Sequence, residues 1–145
     1  MVFFSASGKT DFHQQLREAL ARHVEPEVLP RLARFAEQFF AIAPLEELLQ
    51  HRLADLEGST LSAWRLLEAF RGEPLVRVFN PDYEQHGWQS THSVVQVLHP
   101  DMPFLVDSVR MALNRRGHSI HTLQTSVLSV RRGGAGDFLD FLPRG

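Results

Sequence analysis

The stretch Thr91–Arg110, THSVVQVLHPDMPFLVDSVR, decides how the second half of the chain is read. Thr91 to Leu98 is rich in β-branched side chains and stops at His99-Pro100-Asp101, the pattern of a strand running into a turn. Pro103 stands near the first turn of a following helix, where its missing N–H costs nothing. That helix is expected to reach Arg116, with Leu105, Val109, Ala112 and Leu113 as its buried stripe and Gly117 as its stop. Ser119–Val130 reads as a long strand. Its apolar phase slips between Leu123/Val127 and Leu128/Val130, which predicts a bulge or bend. Gly133-Gly134-Ala135-Gly136 is a hairpin loop, and Phe138–Leu142 is the returning strand. Thr91–Arg132 is thus a compact β-α-β unit without a catalytic constellation, which points to a regulatory or assembly module. A new strand-like run begins just before Gly145, so the expectation is a piece of something larger.

Upstream, the period is helical. Thr10 or Asp11 is the expected cap of a helix to about His23, with Phe12, Leu16, Ala19 and Leu20 on one face. Pro26 and Pro30 bracket the start of a second helix bearing Leu32, Phe35, Phe39, Phe40 and Ile42. Pro44 opens a third, with Leu45, Leu48, Leu49, Leu53 and Leu56 inward and Gly58 as its end. Ser59 or Thr60 caps a fourth, with Ala63, Leu66, Leu67 and Phe70 inward beside Trp64, and Gly72 as its stop. After Glu73-Pro74 the period changes, and Leu75-Val76-Arg77-Val78-Phe79 alternates like a strand. Asn80-Pro81-Asp82 is a turn, and Tyr83–Ser90 reads as an irregular polar and aromatic loop. The class is therefore α+β: a helical subdomain, residues 1–73, then a strand and a partial β-α-β-β unit, residues 74–145. No flexible linker separates them, so the halves are expected to pack together.

Composition narrows the function. A chain of 145 residues supports one or two small domains with a real core. A net charge of -2 gives no field for nucleic acid or an anionic membrane. The absence of cysteine excludes disulfides, thiolate chemistry and Cys-ligated zinc, and it fits a cytoplasmic protein. The N-terminus lacks the pattern of a signal peptide, and no apolar run approaches a membrane span.

Several strings carry a resemblance. Val76-Arg77-Val78-Phe79-Asn80-Pro81-Asp82-Tyr83-Glu84, His86-Gly87-Trp88-Gln89-Ser90-Thr91-His92, Asp101–Arg110 and Leu113-Asn114-Arg115-Arg116-Gly117-His118-Ser119-Ile120-His121-Thr122 follow one another in order. With the Ser62-Ala63-Trp64 and Phe39-Phe40 helices, they resemble the N-terminal region of the large bacterial NAD-dependent glutamate dehydrogenases. The β-α-β-β order likewise resembles the first two-thirds of an ACT domain, a ferredoxin-like module that binds small effectors and pairs with other copies. The resemblance implies a parent enzyme that oxidises L-glutamate to 2-oxoglutarate and ammonia with NAD. It also implies that NAD binds a downstream domain, and that this region regulates or assembles a homo-oligomer of amino-acid catabolism without catalysing. Its partners would be the remainder of its own polypeptide and, for allosteric regulation, an amino-acid effector.

The resemblance places the effector at the strand-to-helix turn Asp101, Met102, Pro103, Phe104 and Leu105. Backbone N–H groups at a helix start suit a carboxylate. Effector-binding members carry glycine after the proline; here Phe104 stands there, and its ring is expected either to plug the pocket or to join the core or an intersubunit contact. Asp101 is the expected cap of the helix. Tyr83 and Trp88, aromatic residues in a polar loop, are a second candidate contact, unless Trp88 folds back onto the helices.

Other motifs reduce to ordinary structure. Gly8-Lys9-Thr10 ends like a phosphate-binding loop, but Phe3 occupies the position of its first glycine. The glycines at 133–136 lack dinucleotide spacing and precede a strand. His92/His99 and His118/His121 fall on opposite strand faces, so no metal is expected. Ser90, His92 and Asp82 lack a strained elbow and an oxyanion hole. Two other classes remain beside the enzyme region: a free-standing amino-acid sensor, and a structural self-association module. The unpaired apolar Phe138–Leu142 strand favours the latter, or simple truncation, because an exposed edge seeks a partner.

Overall fold

The structure, a computed structural model, describes residues 6–41, 43–90, 92–120, 126–136 and 138–141. The element order is α1 (Ala6–Leu20), α2 (Leu29–Phe39), α3 (Leu45–Leu48), α4 (Leu53–Ala69), β1 (Leu75–Phe79), α5 (Tyr83–His86), β2 (Val94–Leu98), α6 (Leu105–Arg115), β3 (Val130–Arg132) and β4 (Phe138–Phe141). The α+β class and the helix-then-strand order hold.

The core is built where the helical period placed it. Phe12, Leu16, Ala19 and Leu20 of α1 are buried against Leu32, Phe35 and Ala36 of α2 and Leu61, Trp64 and Leu67 of α4. Aromatic packing runs through this core. Phe35 lies 5.6 Å from Trp64 and 6.5 Å from Phe141, and Trp64 meets the Phe138 ring edge-on at 5.5 Å. β4 therefore closes the core from the C-terminal half, and the two halves do pack together. Arg31 Nη1 donates to the Leu139 carbonyl at 2.9 Å, and the Arg34 guanidinium stacks over Phe141. The Ser126 hydroxyl donates to the Gln38 carbonyl at 3.0 Å, at the end of α2.

Several boundaries differ from the sequence expectation. α1 starts at Ala6, upstream of Thr10 and Asp11, and ends at Leu20 in a few turn-like bonds. The third helix is only one turn, and Leu49 is exposed after it. α4 then runs straight through Gly58, so neither Ser59 nor Thr60 caps a new helix. Thr60 instead donates its hydroxyl back to the Leu56 carbonyl at 2.7 Å, inside the helix. Gly58 has a packing reason: a Cβ there would overlap the Trp88 indole. Glycine costs the helix something, and the ring that lies on it offsets that cost.

The strands form two separate antiparallel pairs, β1–β2 and β3–β4. β2 thus takes β1 as its partner, in the register Leu75–Leu98, Arg77–Gln96 and Phe79–Val94. The predicted long strand after α6 is confined to Val130–Arg132 among the described residues, and the Leu123 end of the expected bulge lies outside them. A register shift does occur, but between Arg131 and Arg132. Gly133–Gly136 turns the hairpin as read, and Gly136, at φ 83°, lies too close to the Arg71 carbonyl for any side chain. Ile42 and Leu142 lie outside the described residues.

Gly58→Ala tests the packing argument. On an open helix face the change would stabilise by roughly 0.5–1 kcal/mol. Here it must displace Trp88, so a net loss of about 1–3 kcal/mol is expected in chemical denaturation, with a red shift in tryptophan emission.

Candidate functional site

The two candidate regions are built very differently. Asp82 caps α5, its Oδ1 accepting from the Gln85 N–H at 2.8 Å, and Gly87 closes that turn in the left-handed conformation. What the sequence presented as a loop is therefore one helical turn. It rests on the start of α4. The Tyr83 hydroxyl lies 3.4 Å from Asp55 Oδ1 and 3.3 Å from Arg52 Nη1. Trp88 is buried, and its indole N–H donates to the Ser62 hydroxyl at 3.2 Å. Its ring also lies 6.0 Å from Phe79, which in turn faces His86 at 4.9 Å. Trp88 is thus no exposed contact anchor. It folds back onto the helices, while Tyr83 stays 43% exposed.

The Asp101–Leu105 turn is open. Asp101, Met102, Pro103 and Phe104 are exposed, and only Leu105 is half-buried. Phe104 is the N-cap of α6, and no side chain caps that helix, which corrects the expected capping role of Asp101. The first helical bond runs from the Ser108 N–H to the Phe104 carbonyl at 2.9 Å. Asp107 lies in the first turn, where its charge suits the helix dipole. Phe104 has φ 64°, the one non-glycine residue with positive φ among those described. Its side chain is 78% exposed, so it neither joins the core nor plugs a pocket. A bulky residue held left-handed without burial is a strained position at which glycine would sit more comfortably. The α6 stripe is likewise only partly covered: Leu105, Val109 and Leu113 are half-buried and Ala112 is exposed.

Sequence reasoning missed two features. One is Glu57, buried on α4, which bonds His23 Nε2 just beyond α1. Nothing local in the sequence signals that pair. The other is the outer face of the β1–β2 ladder, where Val76, Val78, Val95 and Val97 are all exposed. The signal for it was present, because Val94-Val95-Gln96-Val97-Leu98 is nearly continuous in apolar residues, the pattern of a strand covered on both faces. Elsewhere, a cleft of about 480 Å³ lies between α1 and α2, lined by His13 and Arg17 on one side and Ala33 and Glu37 on the other. Among the described residues no cluster of three or more His, Cys, Asp or Glu is placed to hold a metal ion. No helix among them is long and apolar enough to cross a membrane. Gly133 to Gly136 connect two strands rather than a strand and a helix.

Comparison with known proteins is specific. Residues 35–145 match the family described as "Glutamate dehydrogenase, ACT1 domain". A Pseudomonas aeruginosa protein named NAD-specific glutamate dehydrogenase is 64% identical over 146 residues, covering 100% of this chain and 9% of its own length. A protein of the same name from Halomonas elongata is 50% identical over 125 residues, 86% of this chain and 8% of its own. The chain thus spans less than a tenth of these curated relatives. No solved structure matches it.

The strain at Phe104 has a measurable consequence. Phe104→Gly is expected to raise stability by up to about 1 kcal/mol in denaturant unfolding, and Phe104→Ala to change it by less than about 0.5 kcal/mol, as for other surface positions. A loss of several kcal/mol on Phe104→Ala would place the ring in the core after all.

Proposed function

The chain belongs to the glutamate dehydrogenase ACT1 domain family, and from that premise we propose that it is a non-catalytic assembly or regulatory region of an NAD-specific glutamate dehydrogenase. The parent enzyme would oxidise L-glutamate to 2-oxoglutarate and ammonia in the cytoplasm, with NAD held elsewhere in the polypeptide. The observation that carries this reading is the match to relatives of that name across the whole chain but only 9% of the larger protein. The doubly wound dinucleotide fold sets its glycine turn between the carboxyl end of a strand and a helix, and the glycine cluster here joins two strands instead.

Assembly is favoured over sensing. Met102 is 50% exposed and Phe104 78%, so the turn presents apolar knobs rather than a recess lined by converging polar groups. Aromatic side chains of this kind anchor protein contacts well. The homo-oligomer is the natural setting for such a contact, since most soluble oligomers are symmetric copies of one chain.

Two measurements test this. Calorimetric titration of the 145-residue chain with L-amino acids and 2-oxoglutarate should show no saturable heat. In the full-length enzyme, deleting the region should leave glutamate-dependent NAD reduction detectable while altering the oligomer seen by sedimentation. Saturable amino-acid binding would move the role to effector sensing. Loss of chemistry with the oligomer intact would contradict a non-catalytic role.

A further inference from the structure

Two arginines meet where the connection from α4 to β1 packs on the β3–β4 hairpin. Phe70 is the C-cap of α4, and Arg71 follows it. Arg71 Nη1 donates to the Glu68 carbonyl at 2.7 Å and to the Phe70 carbonyl at 3.0 Å, so the end of the helix holds that guanidinium in place. Arg132 arrives from the hairpin. The register shift between Arg131 and Arg132 re-aims its side chain. Its guanidinium lies over the Phe70 ring, 4.7 Å from the centroid. Gly72 leaves room for it, since a Cβ there would stand 3.3 Å from Arg132 Nη1. The hairpin is locked to the same connection, because Gly136 packs on the Arg71 carbonyl. Packing accounts for where the two side chains sit but not for their charges. Among the described residues neither is ion-paired with a carboxylate, and the Arg132 guanidinium makes no hydrogen bond. Stacking fixes a guanidinium in its plane and leaves the donors along its edge available.

We propose that Arg71 and Arg132 form a site for the phosphoryl group of a small phosphate monoester. Charge and shape select the ligand. Two like charges held beside one stretch of chain repel, and an anion between them removes that cost. A phosphate monoester carries about −1.5 to −2 charges near neutral pH, which matches two guanidinia, and its three oxygens accept from two forks at once. A carboxylate carries a single charge, and one fork satisfies it. A Cβ at Gly134 would meet nothing within 4 Å, so the tip of the hairpin stays clear for the rest of the ligand. This recognition works through the guanidinium forks and needs no glycine turn of the dinucleotide fold. The bound ligand ties the C-terminal hairpin to the end of α4, a link between the two halves of the chain apart from the aromatic core. The inference stands on these two arginines and goes beyond the reading of the chain as an assembly or regulatory region.

Glycerol 3-phosphate, titrated into the 145-residue chain at fixed ionic strength, tests the site by calorimetry and by the arginine Nε–H signals in NMR. The expected result is one saturable site, with the Arg71 and Arg132 signals shifting, sulfate competing and acetate failing to compete. Arg132→Gln should weaken binding at least ~10-fold, the scale of a lost charge-assisted fork. Arg132→Lys keeps the charge but loses the fork, so it should weaken binding too; it carries the test if Arg132→Gln folds poorly by circular dichroism. Arg110→Gln makes the same charge change at an exposed residue of α6 and should leave affinity within about twofold. Three results would overturn the proposal: no saturable binding up to about 10 mM, equal weakening by Arg110→Gln, or acetate binding as tightly as glycerol 3-phosphate. Binding of inorganic phosphate without binding of the monoester would overturn it as well, because the site would then take only the free ion.

Discussion

The contact on which the C-terminal half depends is Trp88 lying on Gly58. The indole can approach α4 closely only because Gly58 has no side chain, and its N–H is satisfied by Ser62 one turn further along. That single contact fixes the segment between β1 and β2. Phe79 packs on Trp88, the α5 turn sets Tyr83 against Asp55, and the Gln89 N–H lies 3.3 Å from the same carboxylate. Among the described residues the β1–β2 ladder has no other strand to support it, and two-stranded ladders are marginal alone. Its orientation is therefore borrowed from the helices through the loop that joins its strands. β3–β4 uses a second anchor of the same kind, with Phe138 and Phe141 reaching into the aromatic core beside Trp64 and Phe35.

These anchors explain what the sequence could and could not disclose. The helical core was readable because its signal is periodic and local: Phe12, Leu16, Ala19 and Leu20 fall on one face in any helix. Gly58 was misread because glycine carries the same local signal whether it ends a helix or makes room for a ring. Only the long-range position of Trp88 distinguishes the two cases. The same limit hid the pair of Glu57 and His23, which are distant in sequence and adjacent only through the packing of α4 on the turn after α1. For the long strand read over Ser119–Val130 the local pattern is a weaker guide, because strand formation depends on the neighbour available to pair, and among the described residues only Val130–Arg132 finds one, in β4.

The candidate site was readable in position but not in conformation. The Asp-Met-Pro-Phe turn does open a helix, and the residue after the proline does occupy the left-handed region where glycine would be expected. The reading erred on the ring. A residue in that conformation directs its side chain independently of what its size suggests, and at Phe104 the ring goes to solvent rather than into the turn.

Strain and exposure at one residue argue together. Left-handed backbone at a phenylalanine costs free energy, and an exposed aromatic ring gains none back from burial. A chain that served only as a solvated surface module would lose nothing by having glycine there. The same asymmetry recurs on the β1–β2 ladder, where four valines occupy positions that polar residues would fill at no cost to pairing. In both places the missing stabilisation is the kind a contact supplies, because burying an apolar side chain returns roughly 1.5–3 kcal/mol. In the helical half most large apolar side chains are inside, with Leu49 and Leu53 as exceptions, and Arg31 and Arg34 bind a carbonyl and a ring face. Exposed apolar residues cluster on β1, β2 and the turn into α6, and that end is where a contact would return the most.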